Sequence, residues 1–306
     1  MRKLRGRTLA VRPLERGRVP MPAGLPIDPY RRGLYTPAEL YDATSYADSL
    51  DARAYAWSHH PPTHDDTLAQ ALHDHAVDEG LTAWLVGRHL VGVMGGHDVA
   101  RGSAAYADAA RLGHLLADRH SVATGGGPGA MEATNLGAFL ADPGGLADAL
   151  ERLAIVPSFR PSIDAWVGVA RAIVARVQGR ESLGVPTWFY GHEPPNVFAT
   201  AIAKYFRNAI RESILLQLCD RGIVFLRGAG GTVQEVFQDA CENYYAAEDA
   251  VAPMVLVGAT YWTETLPAWP LLQALARGRA MEPHIHLVDT VDEAADLMRP
   301  EACPDG

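Results

Sequence analysis

From residue 90 onward, short apolar runs alternate with longer stretches whose apolar positions recur every three or four residues. Alternation of that kind predicts buried parallel strands joined by helices. The spacing predicts strands at Leu90–Met94, Ser121–Thr124, Leu153–Val156, Val185–Phe189, Gly222–Leu226, Pro253–Val257 and His284–Val288. Helices are predicted near Ala104–Asp118, Ala130–Ala141, Ile163–Gln178, Val197–Leu218, Thr232–Ala246, Leu266–Ala276 and Val291–Met298. The expected fold is α/β, a Rossmann-like, doubly wound, mostly parallel sheet of about seven strands over residues 81–306. Ahead of it, residues 1–80 read as a basic arm plus accessory helices. Thr36-Pro37-Ala38-Glu39 is a capping box with proline at the first helical position, and a second helical stretch covers Asp65–Glu79.

Charge sharpens this division. The chain carries 27 Lys+Arg against 36 Asp+Glu, yet its first 33 residues are strongly basic and proline-rich. Such an arm wraps over a surface as extended chain or stays mobile; the acidic body and the lack of interleaved aromatics argue against a nucleic-acid tail. No apolar run reaches the roughly 18 residues of a membrane span, and no secretory leader is evident. Three cysteines, Cys219, Cys241 and Cys303, show no CxxC spacing. A cytoplasmic protein without a disulfide framework or a resident metal is expected. The histidine-rich segment His59–His75 shows no recognisable ligand spacing and is read as structural.

Three glycine-rich loops follow predicted strands: Met94-Gly95-Gly96, Thr124–Glu132 and Arg227–Glu235. Glycine permits close backbone approach, and the N–H groups that open the next helix favour a phosphate. None matches GxxxxGK[ST] or GxGxxG, so a P-loop NTPase or ordinary NAD enzyme is disfavoured. Thr232 and Glu235 have capping-box spacing; alternatively Glu235 stands one turn from a bound phosphate, where a carboxylate can assist glycosidic cleavage. Arg207 and Arg211, four residues apart, face that crevice or solvent. The aromatics of Thr187–Asn196 stack on a base or pack the sheet, with His192 and Asn196 the better candidates for a pocket rim.

Gly125–Ala138 (GGGPGAMEATNLGA) and Gly228–Glu235, with Leu90–Gly96, resemble the LOG family of nucleotide phosphoribohydrolases, often labelled lysine decarboxylases. The first segment is closer to the larger bacterial nucleotide 5′-monophosphate nucleosidases of that family. The resemblance covers about residues 84–300. It implies a cofactor-free hydrolase that splits a nucleoside 5′-monophosphate such as AMP into base and ribose 5-phosphate, acting as a homodimer. It makes Glu235 and Arg211 catalytic, with Arg207 as fallback. Gly95, Gly126, Gly127, Gly129, Met131, Glu132, Asn196, Gly228, Gly230, Gly231 and Thr232 would bind substrate. Arg227 stands where the family has proline, and Ala229 replaces a glycine. These departures keep open a non-catalytic nucleotide-binding or sensing protein. A carrier of molybdenum cofactor is a further alternative, since such carriers look like relatives of the same fold. A pyridoxal-phosphate decarboxylase is not expected, because only Lys3 and Lys204 could form its Schiff base.

Overall fold

The computed structural model describes residues 19–189 and 193–299. The first 18 residues of the basic arm, with Lys3, lie outside them, as do Tyr190, His192 and Cys303. Seven strands form one sheet: β1 (Leu90–Met94), β2 (Ser121–Thr124), β3 (Ser182–Gly184), β4 (Ala201–Ile202), β5 (Ile223–Phe225), β6 (Met254–Val257) and β7 (Ile285–Val288). Their order is β4-β3-β2-β1-β5-β6-β7, and every pairing is parallel. This is the expected doubly wound α/β fold. The order reverses direction between β1 and β5, and a reversal leaves a crevice at the strands' carboxyl ends, where the two loops diverge to opposite faces.

Each face of the sheet has its own apolar layer. The helices α4 (Ala104–Ala117), α5 (Ala130–Phe139), α6 (Pro143–Leu153), α7 (Ile163–Val174) and α11 (Val291–Leu297) contribute to one cluster. On the other side α3 (His64–Trp84), α8 (Asn208–Leu218), α9 (Gly230–Tyr244) and α10 (Ala268–Ala276) pack around Leu216, Phe225 and Val236. No helix among the described residues is long and apolar enough to cross a membrane.

Several elements differ from the sequence reading. Leu153–Val156 is no strand; Leu153 ends α6, which Asp142 caps and Pro143 opens. Its buried Leu146, Ala149 and Leu153 recur at helical spacing. The strand expected at Val185–Phe189 lies just before it, at Ser182–Gly184, and Thr187 retains only an isolated bridge to Tyr205. Within the long helix expected at Val197–Leu218, Ala201–Ile202 pairs with β3 and the helix begins at Asn208. The Thr36–Glu39 capping box forms, but it opens only a single turn, α1 (Pro37–Leu40), and a separate helix, α2 (Leu50–Ser58), follows.

Residues 35–78 are stitched to the sheet by buried polar contacts. Tyr35 bridges Ile202, and its hydroxyl meets His73 Nε2 at 2.7 Å. Asp74 accepts hydrogen bonds from the backbone N–H groups of Phe206 and Arg207. Asp51 is a buried hub: it accepts from Lys204 Nζ at 2.6 Å, Trp188 Nε1 at 2.8 Å and the Tyr46 hydroxyl at 2.6 Å. Burial pushes the Lys204 ammonium below its ordinary pKa, and Asp51 pulls it back up.

A similar tie joins Tyr205 to α3, its hydroxyl donating to Asp78 Oδ1 at 2.8 Å. Burial pushes the Asp78 carboxyl up to about 6, although this bond opposes the rise. Tyr205→Phe is therefore expected to cost about 1–2 kcal/mol. A carboxyl raised above its unfolded value loses stability as pH climbs through the folded pKa. The deficit should thus be larger at pH 8, where the undonated carboxylate is ionised, than at pH 5. Urea midpoints at the two pH values check this.

Candidate functional site

At the reversal point the three glycine loops are tied together by their backbones. Gly96 donates to the Arg227 carbonyl at 3.1 Å, and its own carbonyl accepts from Ala130 N–H at 3.0 Å. Gly129, at φ 70°, permits this closure, because a Cβ there would lie 2.5 Å from the Gly96 carbonyl oxygen. The β2 loop is shaped from behind by a buried polar network. Thr124 Oγ1 donates to Asn135 Oδ1 at 2.7 Å and accepts from Gly126 N–H at 3.0 Å. Asn196 donates to Asn135 Oδ1 and to the Gly127 carbonyl, while its backbone N–H reaches the Gly126 carbonyl at 2.9 Å.

The resulting crevice has a volume of about 430 Å³, within the range that small-molecule sites occupy. Of the residues singled out from sequence, Gly95, Gly127, Met131, Arg211, Gly230, Gly231, Thr232 and Glu235 line it together. The others are placed elsewhere. Gly126 and Gly129 set the loop's turn, and Gly228 makes room for the Thr232 hydroxyl. Asn196 is fully buried as a brace rather than standing at a rim. Glu132 is buried in an ion pair with Arg101, beside a separate small cavity. Arg207 precedes α8 and its exposed side chain borders a neighbouring groove. Residues that the sequence reading passed over as site candidates also line the crevice, namely His97, Glu193 and Glu212. His97 Nδ1 lies 3.6 Å from Glu193 Oε1. Glu212 is adjacent to Arg211 in sequence, the one signal that pointed to it.

The helix α9 opens on this crevice without a side-chain cap at Ala229. Thr232 and Glu235 do not form a capping box, since the helix begins two residues before Thr232. Its first N–H groups therefore remain for an anion, with the helix dipole behind them. A Cβ at Gly230 or Gly231 would meet nothing within 4 Å. Gly231→Ala should accordingly leave the melting temperature within about 2 °C of the parent while filling the space a phosphate needs. Affinity for inorganic phosphate is expected to fall at least about tenfold, measurable by calorimetry; unchanged affinity would place the anion elsewhere.

Arg211 and Glu235 face each other across the crevice wall, with Arg211 Nη1 4.0 Å from Glu235 Oε1 and their side chains 10% and 12% exposed. Arg211 also donates to Glu212 Oε1 at 2.8 Å and to Asn208 Oδ1 at 3.3 Å. Burial, and then the negative charge of Glu212, push the Glu235 carboxyl up to about 8, against the pull of Arg211. Glu235 thus keeps its proton at neutral pH beside an Arg211-bound Glu212. Two carboxyl groups held in such different environments can divide acid and charge-stabilising roles.

Arg227 does not enter this crevice. Its Nε lies 3.0 Å from where a Cβ would stand on Gly258, its guanidinium is 5.9 Å from the Tyr261 ring centre, and it lines a separate cavity at the ends of β5 and β6. Lys204 lies in the Asp51 hub and is not among the lining residues. Among the described residues there is no cluster of three or more groups able to hold a metal ion.

No family model and no curated protein matches the chain. Among solved structures it is similar to the molybdenum cofactor binding protein from the phototrophic bacterium Rippkaea orientalis. That match has 15% identity and a TM-score of 0.42, and covers 69% of this chain and 95% of the other. It is also similar to the molybdenum cofactor carrier protein MCP from Chlamydomonas reinhardtii, at 18% identity and a TM-score of 0.41, over 68% and 94% of the two chains. Identities this low say nothing about what the chain binds.

Proposed function

We propose that the protein hydrolyses the N-glycosidic bond of a nucleoside 5′-monophosphate, releasing free base and ribose 5-phosphate. The observation that carries this reading is the nearly buried Glu235 carboxyl 4.0 Å from Arg211, in a crevice that also receives the uncapped start of α9; burial pushes that carboxyl up to about 8. The phosphate rests on the N–H groups of Gly230, Gly231 and Thr232. That placement puts the ribose toward Glu235, one helical turn further along α9. Glu235 donates its proton to the departing base, and the carboxylate so formed accepts a proton from the attacking water. Glu212, bonded to Arg211, faces the positive charge that develops at the ribose C1′. The chemistry requires no bound cofactor. A panel of nucleoside monophosphates, with free base detected by chromatography, tests the reading; absence of base from every nucleotide would overturn it.

A second reading is a carrier that holds a phosphorylated cofactor, such as molybdenum cofactor, without turnover. In its favour, Arg211 is already bonded to Glu212 and Asn208. The phosphate would then rest on backbone N–H groups alone, which is enough for binding. Tight co-purification of a pterin, visible in the ultraviolet spectrum, would support the carrier. A cytoplasmic setting and a homodimer belong with the first reading and are proposed alongside it.

A further inference from the structure

Among the described residues, one polar atom in the wall of the glycine-loop crevice lacks a hydrogen-bond partner. Glu212, on α8, is 4% exposed and lines the crevice with Glu235 and the start of α9. Its Oε1 accepts from Arg211 Nη2 at 2.8 Å and from Asn208 Nδ2 at 3.3 Å. Its Oε2 is enclosed as well, yet meets no donor among the described residues. A buried acceptor left without a donor is costly, so such an oxygen marks a place where a ligand brings one. Arg211 fixes where that place is. One arm of its guanidinium holds Glu212, and the other, Nη1, stands 4.0 Å from Glu235 Oε1. Glu235 does not supply the donor, since Glu212 acts on it through charge and not through a hydrogen bond.

We infer that Glu212 is the sugar-reading residue of this site: its Oε2 accepts a hydrogen bond from the 2′-hydroxyl of a ribose, so the crevice selects ribonucleotides over their 2′-deoxy counterparts. The inference rests on the reading of the crevice as the site of the 5′-phosphate and ribose. With the phosphate on the N–H groups of Gly230, Gly231 and Thr232, and Glu235 at the glycosidic bond, C1′ lies beside Glu235. The hydroxyl on the adjacent carbon then falls toward the carboxyl that shares Arg211 with Glu235. A phosphate dianion has only acceptors to offer, which leaves the sugar hydroxyls as the donors next to C1′. Arg211 and Asn208 hold the carboxyl by its other oxygen, so a ligand finds Oε2 already oriented. A hydrogen bond to the 2′-hydroxyl strengthens as positive charge develops at C1′, which joins selection of the sugar to its turnover.

The test titrates the full-length protein with ribose 5-phosphate, 2-deoxyribose 5-phosphate and inorganic phosphate by calorimetry. None of the three carries a base, so nothing turns over and base preference plays no part. Loss of the 2-hydroxyl is expected to weaken binding about 10–100-fold, because a site built around a hydroxyl is left with its acceptor unpaired. Glu212→Leu should bring the two sugars to within about twofold of each other while inorganic phosphate still binds. Equal affinity of the parent for the two sugars overturns the inference and leaves the phosphate crevice standing. A preference that survives in Glu212→Leu also overturns it, since another group would then read the hydroxyl. Should Glu212→Leu fail to fold, the comparison on the parent decides by itself. Absence of binding by inorganic phosphate and both sugars would instead reject the crevice reading, and the sugar contact with it.

Discussion

Glu235→Gln is expected to lower base release from a nucleoside monophosphate by about 10²–10⁴-fold, the usual contribution of a positioned proton donor. The amide keeps the shape of the carboxyl and removes its proton. In the parent, turnover should decline as pH rises through about 8, where Glu235 ionises. The same substitution should stabilise the fold, which a merely structural carboxyl would not predict. The folded-state pKa stands above the ordinary glutamate value, so stability is lost progressively between that value and about 8. Glutamine does not titrate. The melting-temperature advantage of Glu235→Gln should therefore be near zero around pH 4.5, grow to pH 8 and level off beyond it. A pH series of thermal melts, run beside the chromatographic assay, checks both halves. Equal melting at pH 5 and pH 9 would falsify the buried, protonated state, and unchanged turnover would remove Glu235 from the mechanism.

The second large effect concerns folding. Gly137→Ala should cost upwards of about 3 kcal/mol and lower the melting temperature by roughly 10 °C, or abolish soluble protein. A Cβ on Gly137 would lie 1.8 Å from the Ala110 carbonyl oxygen, and one on Gly113 would lie 2.0 Å from that of Thr134. Both obstacles are backbone, so relief requires α4 and α5 to separate. The same two helices frame the β1 and β2 glycine loops, so separation would also open the crevice. Gly168→Ala in α7 is the control, because a Cβ there meets nothing within 4 Å. It should be neutral or slightly stabilising, since alanine is the better helix former. Differential scanning fluorimetry on the two variants decides the matter; a Gly137→Ala protein melting with the control would show that the helices have slack.

Gly137 also marks how far the sequence could be read. It sits inside the GGGPGAMEATNLGA segment that carries the family resemblance and inside the helix expected at Ala130–Ala141, where nothing in the sequence sets it apart. The structure makes it a helix-packing residue. Short, largely apolar runs set off by helix-like stretches mark β1, β2, β5, β6 and β7, so these were legible with their helices. The left edge was not, because β3 and β4 have three and two residues and hold Ser182, Gly184 and Ala201, which carry no periodic signal. At the site, Arg211 and Glu235 were found at the right distance in sequence. Glu132 looked like a ligand contact because it closes a glycine loop, and Asn196 because it ends the aromatic segment after a predicted strand, yet polar residues that brace a buried loop are chemically the same types as those that touch a ligand. Only the third dimension separates them. Glu212 was missed because an acidic residue beside an arginine on a helix ordinarily reads as a solvated pair.

The Asp51 hub bears on where this chain can be divided. Lys204 and Trp188 lie beyond β3, Asp51 and Tyr46 before β1, and the four polar groups have no route to water, Lys204 and Asp51 being 1% and 2% exposed. Cutting at residue 80 would strand an ammonium and an indole N–H inside an apolar layer. The leading helices and the sheet thus share one set of buried polar bonds, and each is expected to need the other to be expressed in soluble form.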